Sequence, residues 1–297
     1  MDIRSLRTFV AVAEGKSFTR AGQRQKVSQS AVSQQIRALE ESLGSPLFTR
    51  QARSVKLTQA GDVLLPYARQ IIAKVDEATA VVSDFEGMGR GRVSIGAGGA
   101  ICHHVLPAIL SEFASRFGKI EVQVVSGFTE ETLARTVDGT VDLGLLLLPV
   151  NHSGLVVEEL PRDELVAIAP RNHPWGELDR VRARDFTGEN FVAYARESRT
   201  FRLVERYFLE AGVFPTFGME ISDLEAVKRM VEVGLGVSVV AGFAVHDEVD
   251  SGRLLARPLA GGLYRSWGLV RRANETLTAS QRGFISICNS LFPKLVA

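Results

Sequence analysis

Apolar residues over positions 1–60 recur at steps of three and four. Ile3, Leu6, Val10 and Ala13 mark one stripe on a first helix that Gly15 ends. Ser17 is placed to cap a short second helix through Thr19 to Arg24, and the serine of the Val27-Ser28 turn is placed to cap a third. In that third helix Val32, Ile36, Leu39 and Leu43 predict a narrow arc facing the other two, and Gly44 stops it. On the far side gather Ser30, Ser33, Gln34 and Arg37, with Gln29 projecting from the first turn. A face chosen only for solvation usually alternates Glu and Lys, whereas this one carries amide, hydroxyl and guanidinium tips. Gln bonds adenine, Arg bonds guanine and Ser bonds several base edges, so the face has the chemistry needed in a DNA major groove. The competing reading is an ordinary solvated helix face.

The next run, PLFTRQARSVKLT at residues 46–58, reads as two short extended segments around a basic tip, a wing. Arg50, Arg53 and Lys56 are expected to meet phosphates beside the groove, fixing register without reading sequence. Beyond Gly61, residues Leu64, Ala68, Ile71, Val75, Ala78, Val82 and Phe85 alternate steps of four and three. That heptad seam predicts pairing with a second copy, with packing on the chain's own body as the alternative. Pro66 is expected to bend this helix or shift its start, and the glycines of GMGRG at residues 87–91 read as a linker.

From Arg92 the texture changes to short β-branched runs alternating with helical periodicity, the mark of parallel strands with crossover helices. The expected division is a DNA-binding head at 1–58, a connecting and dimerising helix with its hinge at 59–89, and a body at 90–297. The body is read as two α/β subdomains, 90–161 with 266–297 and 162–265, the chain crossing near Pro161 and Arg265. Ligands in such folds collect where strand ends meet helix N-termini, whose free amides attract anions. Three junctions qualify: Gly98-Gly99-Ala100-Ile101, then Ser198-Arg199-Thr200 with Arg202 nearby, then Ser222 before Asp223 and Leu224. Helix capping and surface solvation explain the same residues one at a time.

Charge sharpens this division. The 297 residues carry a net charge of only +1, but residues 1–60 hold ten Lys or Arg against four Asp or Glu, residues 61–89 hold two against five, and residues 90–297 hold 23 against 25. A basic head on a nearly neutral body points to a polyanion met by the head alone. Apolar residues at 45% and charged ones at 23% exclude a wholly disordered or fibrous chain. Two cysteines make no metal or redox spacing, and no stretch reads as a signal or membrane span, so the cytoplasm is expected.

The head resembles the N-terminal winged helix-turn-helix of LysR-type transcriptional regulators nearly from end to end. The resemblance rests on Ser17-Phe18, Ala21, the run VSQSAVS at 27–33, Ile36-Arg37, Leu39-Glu40, Leu43-Gly44, PLF at 46–48, Arg50 and LTQAG at 57–61. Looser matches lie at residues 132–145 and 220–238. It implies a periplasmic-binding-protein-like body whose cleft takes a small, anionic metabolite of unknown identity. It also implies transmission of cleft closure through helix 59–87 to promoter DNA, with RNA polymerase as a further partner. A homodimer or homotetramer would sit on an interrupted inverted repeat. The family often has a Ser or Thr where this chain has Gly99-Ala100, which leaves backbone amides to hold an anion.

Enzymatic chemistry is weaker. Gly96 to Ile101 misses the third glycine of a dinucleotide fingerprint, no G-x-S-x-G or Walker loop occurs, and Cys102-His103-His104 lacks metal-ligand spacing. The chain is expected to be no enzyme, with no metal and no cofactor. The rival reading is an α/β solute-binding or enzymatic protein with an appended interaction domain.

Overall fold

The computed structural model describes residues 1–51, 54–85, 91–118 and 120–296. The chain divides into two compact units near residue 88. In the head, α1 (Ile3–Gly15), α2 (Phe18–Gln25) and α3 (Gln29–Leu43) each start on a side-chain cap: Asp2, Ser17 and Ser28 accept from the backbone N–H groups of Ser5, Arg20 and Ala31. Helix α1 includes Gly15 and ends on Lys16 in the left-handed region, φ 47°, so the stop falls one residue later than the glycine suggests. Its buried face is centred on Leu6, Phe9 and Val12 rather than on Val10 and Ala13, which are half-buried, because Phe9 supplies the bulk that fills the three-helix core.

Val32, Ile36 and Leu39 are buried as expected, while Leu43, in the last turn of α3, is exposed. Strands β1 (Phe48–Gln51) and β2 (Ser54–Leu57) pair antiparallel with Phe48 opposite Leu57 and Thr49 opposite Lys56. Helix α4 (Gln59–Phe85) runs through Pro66 without a shifted start, because Thr58 already anchors it: its carbonyl accepts from Asp62 N–H at 2.8 Å and its hydroxyl from Gly61 N–H at 3.1 Å. The expected seam splits. Leu64 and Ala68 pack into the head's own core, while Ile71 and Val75 stand 39% and 41% exposed beside Val63 and Tyr67. The side chains at 82 and 85 lie outside the described residues.

The body opens with β3 (Arg92–Ala97), α5 (Gly99–His104), α6 (Leu106–Arg116), β4 (Glu121–Ser126), α7 (Thr129–Val137) and β5 (Leu143–Leu147). Here β3 pairs parallel with both β4 and β5, as the alternating texture predicts. Then come β6 (Leu155–Pro170), β7 (Asn190–Tyr194), α8 (Arg199–Glu210), β8 (Thr216–Ile221), α9 (Leu224–Glu232), β9 (Ser238–Ala241), α10 (His246–Asp250), β10 (Leu254–Pro258), β11 (Tyr264–Arg272) and α11 (Ala279–Leu295).

The runs LVVEEL and ELVAIAP, which the sequence texture alone suggests as two separate strands, form one 16-residue strand, β6. Residues 155–164 of β6 pair with β11, and residues 165–170 pair with β9 and β10, all antiparallel. The wholly parallel expectation therefore fails around β6: a strand passing between two groups of elements, met by a returning strand, pairs head to tail with it. Register slips between Arg265 and Trp267, where β11 makes the return crossing. Among the described residues no helix is long and apolar enough to cross a membrane.

Candidate nucleic-acid interface and ligand cavity

Helix α3 holds its outward face by burying the other. Val32, Ile36 and Leu39 fix its rotation in the apolar core of the head. Gln35 turns inward, its Oε1 lying 2.6 Å from the Thr8 hydroxyl of α1, while Gln25 of α2 approaches the same hydroxyl at 2.9 Å. That polar junction joins three helices and leaves Gln29, Ser30, Gln34 and Arg37 exposed and Ser33 half-buried on the opposite side. Gln29 Nε2 donates to Ser33 Oγ at 3.1 Å, and the Ser28 and Ser30 hydroxyls lie 2.8 Å apart, so the first turns present an ordered polar row.

The wing is fastened to the same helix. Glu40 Oε1 accepts from the N–H groups of Leu47 at 2.8 Å and Phe48 at 3.3 Å, and the Thr58 hydroxyl donates to Pro46 O at 2.7 Å. Lys56 is exposed on β2. Arg53 and the Arg50 side chain lie outside the described residues, so of the three wing residues expected to meet phosphates only Lys56 has a described side chain. Ser28 and Gly22 shape the turn between α2 and α3: a Cβ at Gly22 would sit 2.8 Å from Val27 O, a backbone atom that cannot step aside cheaply.

In the body, Gly98, Gly99, Ala100, Ser198, Arg199 and Thr200 line one cavity of about 50 Å³, small enough for a ligand of a few heavy atoms. Ile101 does not reach it. It is fully buried in the body core, because its position one step around α5 faces the β-sheet. Ser222 is also outside it, exposed ahead of α9, and Asp223 beside it is occupied as the cap, accepting from Ala226 N–H at 2.8 Å. Arg202 lies away from this cavity, on an adjoining groove.

Several predicted polar groups are already committed. Ser198 Oγ donates to Ala195 O at 2.7 Å and accepts from Phe201 N–H at 3.0 Å. Arg199 donates to Leu147 O at 2.8 Å, Pro149 O at 2.6 Å and Glu130 Oε1 at 3.0 Å. It therefore ties α8 to the end of β5 and to α7 rather than standing free for a ligand. Thr200 Oγ1 accepts from Arg265 Nη1 at 2.8 Å.

Arg265 and Trp267, which line the cavity, and the carboxylate that holds them were not among the predicted site residues. Asp163 of β6 and Arg265 of β11, both buried, form an ion pair with Arg265 Nε donating to Asp163 Oδ1 at 3.0 Å, and Trp267 Nε1 donates to the same oxygen at 2.7 Å. These residues sit where the two long strands cross. Strand alternation was the available signal: Asp163 shares the inward side with Leu165 and Ala167, a charge where an apolar residue is expected. Phe128 and Tyr194 complete the walls, and burial, then the nearby Asp223 charge, raises the Tyr194 phenol while Arg265 opposes them.

The first amides of α5 have no side-chain cap, since Gly98 supplies none. Among the described residues no three His, Cys, Asp or Glu side chains gather as metal ligands.

The chain matches the bacterial regulatory helix-turn-helix protein, lysR family, over residues 3–62, and the LysR substrate binding domain over residues 86–293. It is 32% identical over 286 residues to the RuBisCO operon transcriptional regulator of Allochromatium vinosum, covering 96% of this chain and 94% of that protein. It is 30% identical over 257 residues to the uncharacterized HTH-type transcriptional regulator YwqM of Bacillus subtilis (strain 168), covering 86% of this chain and 87% of that one. A full-length OxyR variant from Pseudomonas aeruginosa shares the fold at a TM-score of 0.73 and 22% identity, over 98% of this chain and 94% of that chain. Full-length CbnR complexed with its target DNA does so at 0.68 and 21%, over 97% and 98%. With both family signatures matched in order, and the first falling on the helices that carry the exposed polar row, the chain belongs to the LysR family of transcriptional regulators, DNA-binding proteins whose promoter occupancy responds to a small molecule held in the C-terminal domain.

Proposed function

We infer that Gln29, Ser30, Ser33, Gln34 and Arg37 read base edges in the major groove while Lys56, with Arg50 and Arg53 of the wing, holds phosphates. The observation that carries this reading is the split of one helix: Gln35 is drawn inward onto Thr8 while Gln34 and Arg37, on the other side, remain exposed. Two copies joined along α4 place two such helices on an interrupted inverted repeat. The exposed row Val63, Tyr67, Ile71 and Val75, at successive steps of four, supports that pairing. A homodimer, or a tetramer built from two, is the working unit, acting in the cytoplasm with RNA polymerase as the machinery it admits or excludes.

In the body, the segments on either side of the β6 and β11 crossings act as lobes, 90–161 with 266–297 and 162–265. A small anionic metabolite occupies the inner cavity between them, its charge toward the uncapped amides at Gly99 and Ala100 and its body against Phe128, Tyr194 and Trp267. The ligand acts by favouring one lobe arrangement, since equal affinity for both would shift nothing. The A. vinosum relative is named for the RuBisCO operon, which makes the promoter of such an operon the first to try.

Selection of duplexes from a random library by the full-length protein tests the reading. An enriched interrupted inverted repeat is expected; enrichment of no sequence overturns it.

A further inference from the structure

Beside the inner cavity lies a second, wider one of about 500 Å³, walled by α8, by Leu147, Leu148 and Pro149 after β5, and by Tyr264 to Ser266 of β11. Arg199, Arg202 and Arg206 face it from α8 at spacings of three and four, one side of a helix. The row extends over seven residue steps, about 10 Å of helix. We propose that this outer groove is a second anion site, separate from the inner cavity, for a small phosphorylated metabolite carrying at least two anionic groups.

Charge is the first reason. Among the described residues Glu130 is the one carboxylate lining the groove, and it serves two guanidinium groups, lying 3.0 Å from Arg199 Nε and 3.9 Å from Arg202 Nη1. Arg206 pairs with Glu210 at 3.7 Å, and both of those side chains are largely exposed. Arg265 also lines the groove, but Asp163 neutralises it. Arg199 is tied to Glu130 and to two carbonyls, which leaves the largely exposed Arg202 and Arg206, each only loosely paired, to turn toward an anion in the concave surface, and guanidinium forks match phosphoryl oxygens two at a time.

Size is the second reason. The groove is roughly ten times the volume of the inner cavity, so a ligand too large for the inner one fits here. Coupling follows from shared walls: Leu147, Arg199 and Arg265 line both. An anion that draws Arg199 off Glu130 alters the tie between α8 and the Leu147 to Pro149 segment, and the inner cavity feels it. Linkage requires the influence to run both ways.

The test is calorimetric titration of the full-length protein with inorganic pyrophosphate and with inorganic phosphate, at matched ionic strength and without metal ions. Saturable pyrophosphate binding at least tenfold tighter than phosphate is expected. The double variant Arg202→Gln with Arg206→Gln should weaken it about tenfold, the loss of about 1.4 kcal/mol of charge-assisted bonding. Arg184→Gln, an exposed arginine elsewhere, should leave it unchanged, and Glu130→Gln should strengthen it by removing the competing carboxylate. Pyrophosphate binding no tighter than phosphate overturns the proposal. Binding undiminished in the double variant does so too, since it places the anion away from Arg202 and Arg206. DNA affinity in all variants stays at the parental level, so the account of the head stands or falls separately.

Discussion

Gln34 and Gln35 are neighbours in sequence with opposite work. Gln35 closes a buried polar junction with Thr8, and Gln34 stays on the open side with Arg37. Lys56 on the wing is exposed in the manner of a phosphate contact, so Lys56→Ala should weaken binding to all duplexes similarly and lower the salt slope by about one, as measured by fluorescence anisotropy across salt concentrations. In the body, burial, helped by the nearby Glu158 charge, pushes the Cys288 thiol up to about 12. The folded state favours the neutral thiol, so this contribution to stability is full below the ordinary thiol range and declines as pH rises from there toward 12. A thiol reagent at about pH 8 should leave Cys288 untouched until the protein unfolds, and rapid modification of both cysteines in the native protein would contradict its burial.

Glu225 shows the other sign. Burial pushes its carboxyl up, but hydrogen bonds from Lys228 and His104 and their charges outweigh that and hold it below the usual carboxylate range. Its contribution is therefore present at neutral pH and lost as pH falls through the lowered value, and Glu225→Gln should flatten the acid limb of the stability curve measured by thermal unfolding.

At the scale of elements, the turn between α2 and α3 is held by packing as much as by caps. Gly22→Ala puts a methyl 2.8 Å from Val27 O, and the head should lose about 1 to 3 kcal/mol, read from its unfolding transition and from weakened DNA binding. The head's three helices were legible because short polar caps and steps of three and four leave few alternatives. Their exact faces were less so: sequence spacing does not reveal that Phe9 fills the core or that Leu43 ends up exposed.

The seam on α4 was half legible for a physical reason. Leu64 and Ala68 have an apolar partner within the head itself, while Ile71 and Val75 do not. Replacing Ile71 and Val75 together by Lys should dissociate the oligomer in analytical ultracentrifugation without unfolding the head. Retained oligomerisation would move the interface elsewhere.

For the whole molecule, the basic head was legible in charge and the alternating α/β body in hydrophobic texture, and crossings were expected near Pro161 and Arg265, but not that one continuous strand, β6, carries the first of them. A strand that changes partners midway looks in sequence like two strands, because periodicity records which side is buried and not which strand covers it. The same limit hid the Asp163 to Arg265 pair, formed by residues far apart in the chain, and it misplaced Ile101 and Ser222, whose surroundings are set by the fold rather than by the local run. Gly99→Leu probes the cavity as a whole: a Cβ there meets nothing within 4 Å, so the fold tolerates it while the side chain fills the room available to a ligand. Such a protein should keep its DNA affinity and lose its response to the effector, in promoter-reporter assays.

The central claim is that the outward face of α3 reads sequence. The ratio of affinities for a selected operator and a scrambled duplex of equal length, measured at one salt concentration for the parent and for Arg37→Ala, tests it most directly. A fall in that ratio, equivalent to about 1 to 3 kcal/mol of lost discrimination, is predicted. An equal loss of affinity for both duplexes, leaving the ratio intact, would contradict it.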